Sequence, residues 1–347
     1  MNSDTVIEAD YRRMGMPNGS VRFSRANAGF EICKSYPRLI VVPDDIGDDD
    51  VSEIASFRSK WRVPAIEWMA RDPPAMLVRC SQPRTGLRNA RCEADEKFLY
   101  SVRQLSHNSG VIQLLDARPL LNAMANRLKG AGTENLTSGY PNCSRRFLNI
   151  GNIHKMRQCL ERLRIVLAES PAPNQEASPE QAASFDSLWT DHIRLIVAGA
   201  HMAAESLVNG ISCVVHCSDG WDRTPQITAL TQLLVDPYYR TFAGFQSLVE
   251  KEWCAFSHKF SSRMATESKK LNDSERAPIF LQWIDSVFQI SSLFPKAFEF
   301  NTTYLKDILH HAHSGRYGTF FFDSYRQRVL NQVAQKTDSL WTGLNII

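Results

Sequence analysis

The stretch best suited to chemistry is residues 216–223, which read His-Cys-Ser-Asp-Gly-Trp-Asp-Arg. Cys217 precedes Arg223 by six positions, with Gly220 and two aspartates between them. A loop of this length can wrap its backbone amides around one phosphate group, with the thiol below it and the guanidinium beside it. The spacing therefore predicts a phosphate-binding loop that contains a nucleophilic cysteine.

The residues on either side predict the elements that hold this loop. The β-branched apolar run at 211–215 is typical of a buried strand. After the loop, Thr224 is a candidate helix N-cap, Pro225 suits the first helical turn, and apolar residues recur at helical spacing. A loop between a strand and a helix N-terminus directs free amides and the positive end of the helix dipole at an anion.

Each residue type in the loop has a role in phosphoryl transfer. As a thiolate, Cys217 would attack phosphorus and form a cysteinyl-phosphate intermediate. The planar guanidinium of Arg223 can hold two phosphate oxygens, and this chemistry needs neither a metal ion nor a cofactor. Either Asp222 or Asp219 is near enough in sequence to protonate the leaving oxygen. A buried structural thiol or a redox sensor is the alternative for Cys217, and the two acids and the arginine beside it disfavour that alternative.

The rest of the chain predicts an α/β fold with its strands early and its helices late. The strands are predicted at residues 38–42, 65–68, 75–78, 111–115, 147–150 and 211–216. An amphipathic helix is predicted from Trp189 to Leu207, ended by Asn209 and Gly210. Beyond residue 224 the pattern is helical, with two predicted core stripes: Phe242, Phe245, Val249 and Trp253, then Phe280, Trp283, Ile284, Val287 and Phe288.

Composition excludes several classes of protein. The 347 residues are 43% apolar with a net charge of +3, which is enough apolar content for a sizeable core and too little charge to indicate nucleic-acid binding. The eight cysteines lack paired metal-binding spacing, and a catalytic thiolate requires a reducing compartment. No apolar run approaches the roughly 20 residues of a membrane span.

Residues 216–224, HCSDGWDRT, resemble the signature of the myotubularin phosphoinositide 3-phosphatases. The resemblance implies an enlarged cysteine-dependent, protein-tyrosine-phosphatase-like fold, with a central twisted sheet flanked by helices and a helical C-terminal half. The motifs at 11–15 and 339–341 favour the subgroup of myotubularin-related proteins six, seven and eight. Further matches cover nearly the whole chain, at residues 10–15, 35–37, 57–60, 80–83, 116–119, 152–154, 236–241 and 298–301.

The resemblance also implies an activity and a site. Myotubularins remove the 3-phosphate from phosphatidylinositol 3-phosphate and phosphatidylinositol 3,5-bisphosphate. By similarity, Cys217 would be the nucleophile, Arg223 the phosphate clamp and Asp222 the general acid. The implied substrate contacts are Ser218, Asp219, Gly220 and Trp221 in the loop, Asn126, Asn152 and Ile153 towards the 1-phosphate, and Lys259 and Arg263 towards the inositol phosphates.

Structural alternatives exist for several of these residues. Without the resemblance, Asn126 and Asn152 would be read as helix-cap or turn residues. Lys259 and Arg263 lie four positions apart, so they could form one solvated helix face. Trp221 could be a packing anchor for the loop. Non-catalytic roles are also open for Asp219, which could orient the loop, and for His154 and His216, which could be structural.

The chain is interpreted as a single phosphatase domain, 1–347, with a linker-like segment at 1–28 and a surface loop at 169–184. The PH-GRAM domain and coiled coil of typical family members are not recognised, so association with inactive relatives, as homo- or hetero-oligomers, is expected to be weakened. Two features depart from the family pattern. Residues 264–270 follow Arg263 where the family commonly has a Gly-His-Gly-like turn, which affects the expected geometry near the 5-phosphate side of the site. Ser257 stands where a glycine is frequent, which is a smaller departure.

We therefore expect a cytoplasmic enzyme that acts on phosphoinositides at the surface of endosomal or other endomembranes. Two alternatives remain open. One is a phosphatase of the same fold that acts on phosphopeptides, which the two aspartates of the loop disfavour. The other is an inactive lipid-binding scaffold, which the presence of Cys217, Asp222 and Arg223 disfavours.

Overall fold

The computed structural model describes residues 3–169, 188–264 and 273–344. Its strands are Val21–Ser24 (β1), Ile40–Pro43 (β2), Ala65–Arg71 (β3), Pro74–Ser81 (β4), Ile112–Asp116 (β5), Cys143–Phe147 (β6) and Cys213–Cys217 (β7). Its α-helices are Ser3–Arg13 (α1), Asp48–Phe57 (α2), Glu93–Gln104 (α3), Leu120–Leu128 (α4), Ile153–Glu169 (α5), Leu188–Val208 (α6), Arg223–Val235 (α7), Phe242–Val249 (α8), Phe260–Met264 (α9), Ile279–Leu293 (α10), Thr302–Ser314 (α11), Tyr325–Leu330 (α12), Val333–Lys336 (α13) and Leu340–Leu344 (α14).

Five of the strands form a mixed central sheet in the order β3-β4-β7-β5-β6. β3 pairs antiparallel with β4, whereas the β4–β7, β7–β5 and β5–β6 pairs are parallel. Strands β1 and β2 form a separate antiparallel pair. The strand before the candidate loop is therefore the middle strand of the sheet, and its carboxyl end delivers Cys217 to the sheet edge where α/β proteins bind ligands.

Burial on both faces explains the apolar sequence of β7. All five of its residues are buried, and α6 and α7 both pack against it and against each other. Parallel strands covered on both faces read as continuous apolar runs, and this run was recognised in the sequence. The predicted helix from Trp189 to Leu207 is likewise confirmed as α6.

The part of the chain after residue 224 that the structure describes is helical, as the sequence predicts. Its core is aromatic: the rings of Phe245 and Trp283 stack with centroids 5.5 Å apart, and Trp253 lies 5.1 Å from Trp283. Phe242 is the exception to the predicted core stripe, because 42% of its surface is exposed. It packs edge-on against Tyr304 instead.

Two local predictions are wrong. The strand predicted at 147–150 lies at Cys143–Phe147, because Asn149 takes a left-handed conformation (φ 57°) that ends the extended chain. β6 is an edge strand with a polar sequence, so it lacks the apolar pattern from which a strand is predicted. Thr224 is not the N-cap of α7, because the helix begins at Arg223 and Asp222 occupies the cap position.

The predicted linker-like segment, 1–28, is almost wholly described, whereas nearly all of the predicted surface loop is not. Segment 1–28 carries α1 and β1, and Ile7, Tyr11 and Val21 are buried in the core. The surface loop predicted at 169–184 starts at the last residue of α5 and otherwise lies outside the described residues. Among the described helices, none is long and apolar enough to cross a membrane.

Candidate active site

The thiol of Cys217 lies at the bottom of a cavity, with two donors directed at its sulfur. The backbone N–H of Gly220 donates to Sγ at 3.2 Å, and the hydroxyl of Thr224 donates at 3.3 Å. Cys217 itself is only 2% exposed. Two hydrogen bonds to the sulfur stabilise its negatively charged form, which is the form that attacks phosphorus. Thr224, which the sequence suggested as a cap, is thus a contact of the nucleophile.

The cavity above the thiol has a volume of about 310 Å³. Nine of the predicted site residues lie in its wall besides Cys217: Ser218, Asp219, Trp221, Asp222 and Arg223 of the loop, and Asn152, Ile153, Lys259 and Arg263 outside it. Strand β7 and helices α5, α7 and α9 therefore bring together residues far apart in sequence. Three further residues line the same cavity and were not predicted: Lys60, Glu275 and Ile279.

Two predicted substrate residues, Gly220 and Asn126, do not line this cavity. Gly220 directs its backbone N–H at the thiol instead. Asn126 contacts the loop residue Ser218. Its side-chain amide on α4 donates to the hydroxyl of Ser218 and to the side-chain oxygen of Gln82, each at 3.1 Å. Gln82 in turn accepts from Arg118, which makes a buried ion pair with Asp116. Through its bond to Ser218, Asn126 stabilises the loop just after the end of β7.

Arg223 and Asn152 line the cavity and also make hydrogen bonds that stabilise its surroundings. Arg223 is the first residue of α7, and its guanidinium donates to the carbonyl of Ile150 at 3.2 Å and to the Ser218 hydroxyl at 3.4 Å. Asn152 accepts from the backbone N–H of Lys155, so it caps α5 while it lines the cavity. The helix-cap alternative is thus compatible with the site prediction for Asn152, whose contact with a substrate stays a prediction.

Two buried arginines underlie the loop. Nη2 of Arg62 and Nη2 of Arg79 each donate to the carbonyl oxygen of Gly220 at 2.9 Å. Arg79 is also paired with Glu252 at 2.7 Å, and both side chains are fully buried. Charge-assisted bonds to one carbonyl fix the turn at Gly220, so that its N–H points at the thiol.

Gly220→Ala is expected to cost both stability and activity. Gly220 has a φ of +80°, and a Cβ there would lie 2.6 Å from the backbone oxygen of Cys80. The positive φ alone costs roughly 1–2 kcal/mol, and the clash must also move the loop away from Cys217. Chemical denaturation and phosphate release measure the two losses.

The matched control for that change is Gly130→Ala. Gly130 has a φ of +84° and open space where a Cβ would lie, so it carries the conformational cost without the clash. We expect Gly130→Ala to lose stability and keep turnover. Equal stability losses at the two positions, with turnover retained by both, would mean that the close approach at Gly220 does not position the loop.

The two aspartates of the loop have opposite electrostatic environments. Burial alone would raise the pKa of Asp222, but Arg263 and the hydrogen bond from His258 outweigh it and hold that pKa well below its usual range. Arg263 contacts both carboxylate oxygens, through Nε at 3.0 Å and Nη2 at 2.9 Å. Burial raises the pKa of Asp219, and Lys60 offsets part of the rise. In the ligand-free site Asp222 is therefore a carboxylate.

The basic residues after the π-helical segment Glu250–Ala255 do not form one solvated helix face. Arg263 is buried against Asp222 and also pairs with Glu275 at 2.9 Å. The ammonium of Lys259 lies 4.5 Å from the centroid of the Trp221 indole, a cation–π contact at the cavity wall. Of the segment after Arg263, only Met264 and the residues from 273 onward are described.

The loop histidine is structural, as the sequence suggested. Nε2 of His216 lies 3.3 Å from Glu134, and both side chains are fully buried. Burial opposes ionisation of Glu134, but His216 and Arg58 hold its pKa well below the usual range. Arg58 also makes a bidentate bond to Asp95. This network anchors β7 to the neighbouring elements behind the loop.

No group of three or more His, Cys, Asp or Glu side chains able to hold a metal ion is found in the described part of the chain. What the cavity assembles instead is a thiol with two donors, a guanidinium beside it and two carboxyl groups in the same loop. This arrangement is capable of nucleophilic displacement at phosphorus followed by hydrolysis of the thiophosphate.

Comparison with known proteins agrees with this chemistry. A family model described as "Myotubularin-like phosphatase domain" matches residues 3–329. The chain belongs to the myotubularin-like phosphatase family. It is 42% identical to myotubularin of Xenopus tropicalis over 96% of this chain and 55% of that protein. It is 43% identical to phosphatidylinositol-3,5-bisphosphate 3-phosphatase MTMR2 of Gallus gallus over 97% of this chain and 58% of that protein, and to MTMR2 of Mus musculus over 99% and 52%.

The chain thus spans about half the length of these relatives. The subgroup assignment from the sequence stays a prediction, since the relatives named here are myotubularin and MTMR2. Among solved structures, the kinase-associated phosphatase KAP with its catalytic cysteine replaced by serine is matched at a TM-score of 0.31 and 12% identity, covering 62% of this chain and 86% of that one. The α/β fold with a central sheet and a helical C-terminal half stands on the structure described above.

Proposed function

We propose that this chain hydrolyses the 3-phosphate of phosphatidylinositol 3-phosphate and phosphatidylinositol 3,5-bisphosphate through a cysteinyl-phosphate intermediate. The observation that carries the proposal is the cationic wall above the thiol. Besides Arg223, the cavity is lined by Lys60, Lys259 and Arg263. One phosphate occupies the loop and Arg223, so the remaining cations are available to further phosphates of the same headgroup. The printed name of the MTMR2 relatives supports the same substrate class.

In the first step, the Cys217 thiolate attacks phosphorus and the S–P bond forms as the P–O bond to the inositol breaks. The electron pair of that bond goes to the inositol 3-oxygen, which takes a proton from Asp222. In the second step, water attacks the phosphorus of the cysteinyl-phosphate, Asp222 accepts a proton, and the thiolate leaves. Arg223 and the loop amides stabilise the charge on the transferred phosphoryl oxygens in both steps.

For Asp222 to be the acid, substrate binding must change its environment. The ligand-free pocket holds it as a carboxylate through Arg263 and His258. A phosphate dianion in the loop adds negative charge beside it and competes for the donors of Arg263, and both effects favour the protonated form. Asp219, with its raised pKa, is the competing candidate for the proton donor.

Helix α4 supports a substrate that is part of a membrane. Leu120, Leu121, Met124 and Leu128 fall within an arc of about 100° on this helix, yet they are 50%, 77%, 58% and 73% exposed. A helix of a globular protein normally turns its apolar stripe to the core. The side of α4 that faces inward carries Ala123, which is buried. The stripe is therefore an exposed apolar surface of the kind that marks an interaction site.

The surroundings of this stripe suit a phospholipid surface. Helix α4 contains no acidic residue, and Arg127 in its last turn donates to the loop that presents the exposed Leu87. The exposed Trp61 follows the cavity residue Lys60 in sequence, and its ring lies 5.9 Å from the guanidinium of Arg84. Apolar side chains flanked by cations and an interfacial tryptophan are typical of membrane-surface binding. Asn126 of the same helix touches the phosphate loop, so a membrane here would lie beside the cavity.

The double change Leu121→Gln and Met124→Gln is expected to weaken action on membranes selectively. Each side chain that leaves the bilayer loses up to roughly 1.5–3 kcal/mol of apolar burial, so the ratio of turnover on vesicles to turnover on dibutanoyl phosphatidylinositol 3-phosphate should fall at least about tenfold. Leu293→Gln, at a site of similar exposure on α10, is the control. An unchanged ratio in the double variant would exclude this helix as the membrane-binding surface.

The proposed function is tested by phosphate release from a panel of substrates. The panel contains the dibutanoyl forms of phosphatidylinositol 3-phosphate, 4-phosphate, 5-phosphate and 3,5-bisphosphate. A phosphotyrosine peptide completes it. We expect turnover of the two 3-phosphorylated lipids only. Turnover of the peptide alone would mean a peptide phosphatase of the same fold, and binding of the lipids without turnover would mean a scaffold.

The proposal extends to location and partners. The eight free cysteines are consistent with a reducing compartment, so we place the chain on the cytoplasmic face of endosomal or other endomembranes. Association with inactive family relatives is part of the same proposal, and size-exclusion chromatography with light scattering tests it. A fluorescently tagged chain that does not localise to endomembranes would contradict the proposed location.

A further inference from the structure

His258 lies behind the loop as a fixed, fully buried imidazole. Its ring packs edge-on against Trp253, with centroids 5.0 Å apart, and against Phe260 at 4.9 Å. The residue lies three positions after the end of the π-helical segment Glu250–Ala255, and its backbone N–H donates to the carbonyl of Trp253 at 2.8 Å. The aromatic contacts restrict the plane of the imidazole ring, and the hydrogen-bond partners of its nitrogens decide which nitrogen faces the loop.

Nδ1 of this ring faces two acceptors. The carbonyl oxygen of Trp221 lies at 2.9 Å and Oδ1 of Asp222 at 3.2 Å. A carbonyl oxygen can only accept a hydrogen bond, so Nδ1 must carry the proton. Nε2 has no hydrogen-bond partner among the described residues. His258 is therefore a donor that holds the backbone and the carboxyl group of two adjacent loop residues at once.

Asp222 has a second clamp of a different kind. Arg263 donates to Oδ1 and to Oδ2, but it also lines the cavity and pairs with Glu275. Because Arg263 is within reach of a phosphorylated headgroup, its bonds to Asp222 are the ones that a substrate can draw away. His258 is fully buried and does not line the cavity, so its bond to Asp222 is out of reach of a substrate.

We propose that His258 is a positioning residue that keeps Asp222 aimed at the leaving oxygen during the reaction. With Nδ1–H bonded to Oδ1, the oxygen that remains available for a proton is Oδ2. In the first step Oδ2–H gives its proton to the inositol oxygen as the P–O bond breaks, and in the second step Oδ2 takes a proton from the attacking water. This inference rests on the proposed function, because it needs an alkoxide leaving group that requires protonation.

The test compares two substrates whose leaving groups differ in their need for a proton. The inositol alkoxide of dibutanoyl phosphatidylinositol 3-phosphate needs one, whereas the phenolate of p-nitrophenyl phosphate leaves without it. His258→Leu should lower kcat on the lipid by roughly 10- to 100-fold, as misplaced catalytic groups do, with a loss on p-nitrophenyl phosphate at least about tenfold smaller. His258→Asn should recover most of the lipid turnover, since its side-chain amide N–H can take the place of Nδ1–H.

A buried histidine elsewhere supplies the matched control. His192 on α6 also has its Nδ1 against a carbonyl oxygen, that of Leu188 at 2.6 Å, and lies outside the site. His192→Leu should leave the ratio of the two turnovers unchanged. Thermal unfolding and binding of orthovanadate show whether each variant is folded with an intact phosphate loop.

Three results would overturn the inference while the proposed function stands: equal losses on both substrates in His258→Leu, no loss on either, or His258→Asn no better than His258→Leu. A wild-type protein that hydrolyses p-nitrophenyl phosphate and leaves the lipid intact would overturn the proposed function and this inference with it. A lipid-selective loss recovered in His258→Asn supports both.

Discussion

Cys217→Ser is expected to abolish phosphate release from every substrate that the chain hydrolyses. A serine hydroxyl does not ionise at neutral pH. The two donors that stabilise the sulfur anion, Gly220 N–H and Thr224 O–H, therefore have no anion to stabilise. Removal of a covalent nucleophile lowers kcat by at least about 10⁴-fold. Binding should persist, because Arg223 and the loop amides are unchanged. Calorimetric titration with dibutanoyl phosphatidylinositol 3-phosphate measures the binding, and phosphate release measures the chemistry.

The control for this change is another cysteine of the same sheet. Cys143 on the edge strand β6 is half-buried and far along the sheet from the loop, so Cys143→Ser should keep its turnover. Turnover retained in Cys217→Ser would contradict the covalent mechanism. Equal inactivation of both variants would point to a general loss of folding instead of a lost nucleophile.

The loop and its strand could be predicted because their signals are local. Cys217, Gly220, Asp222 and Arg223 fall within seven consecutive residues, and a strand buried on both faces is largely apolar, as β7 is. The cavity residues outside the loop were predicted through family motifs, and the structure places Asn152, Lys259 and Arg263 in one wall. No spacing rule connects Asn152 with Lys259 and Arg263, since Asn152 caps α5 and the other two lie at α9.

The supports of the loop could not be predicted, because they belong to tertiary structure. Arg62 and Arg79 lie more than 140 residues from Gly220 in sequence, and only the folding of β3 and β4 beside β7 brings their guanidinium groups to its carbonyl. Asp222 similarly reads as a free acid in the sequence, whereas the fold pairs it with Arg263 and His258. The apolar stripe of α4 carries a helical period like that of a core helix, and only its measured exposure identifies it as a surface.

Asp222→Asn is expected to slow hydrolysis of dibutanoyl phosphatidylinositol 3-phosphate more than Asp219→Asn does. Loss of a general acid costs roughly 10²–10⁴-fold when the leaving group is an alkoxide. Asp222 is held by three hydrogen bonds beside the loop, whereas no described side chain clamps Asp219 in a similar way. We therefore expect a loss of about 100-fold or more for Asp222→Asn and less than about tenfold for Asp219→Asn.

The pKa values of the two acids make this comparison decisive. In the ligand-free site the pKa of Asp219 is raised by burial, while that of Asp222 is lowered because Arg263 and His258 outweigh its burial. A larger loss in Asp219→Asn would therefore assign the proton to Asp219 and leave Asp222 as the partner that fixes Arg263. Equal losses would mean that neither acid acts alone. The expected result requires that the bound phosphate dianion reverse the order of the two pKa values, and the pH dependence of kcat, which reports the substrate complex, reads that reversal directly.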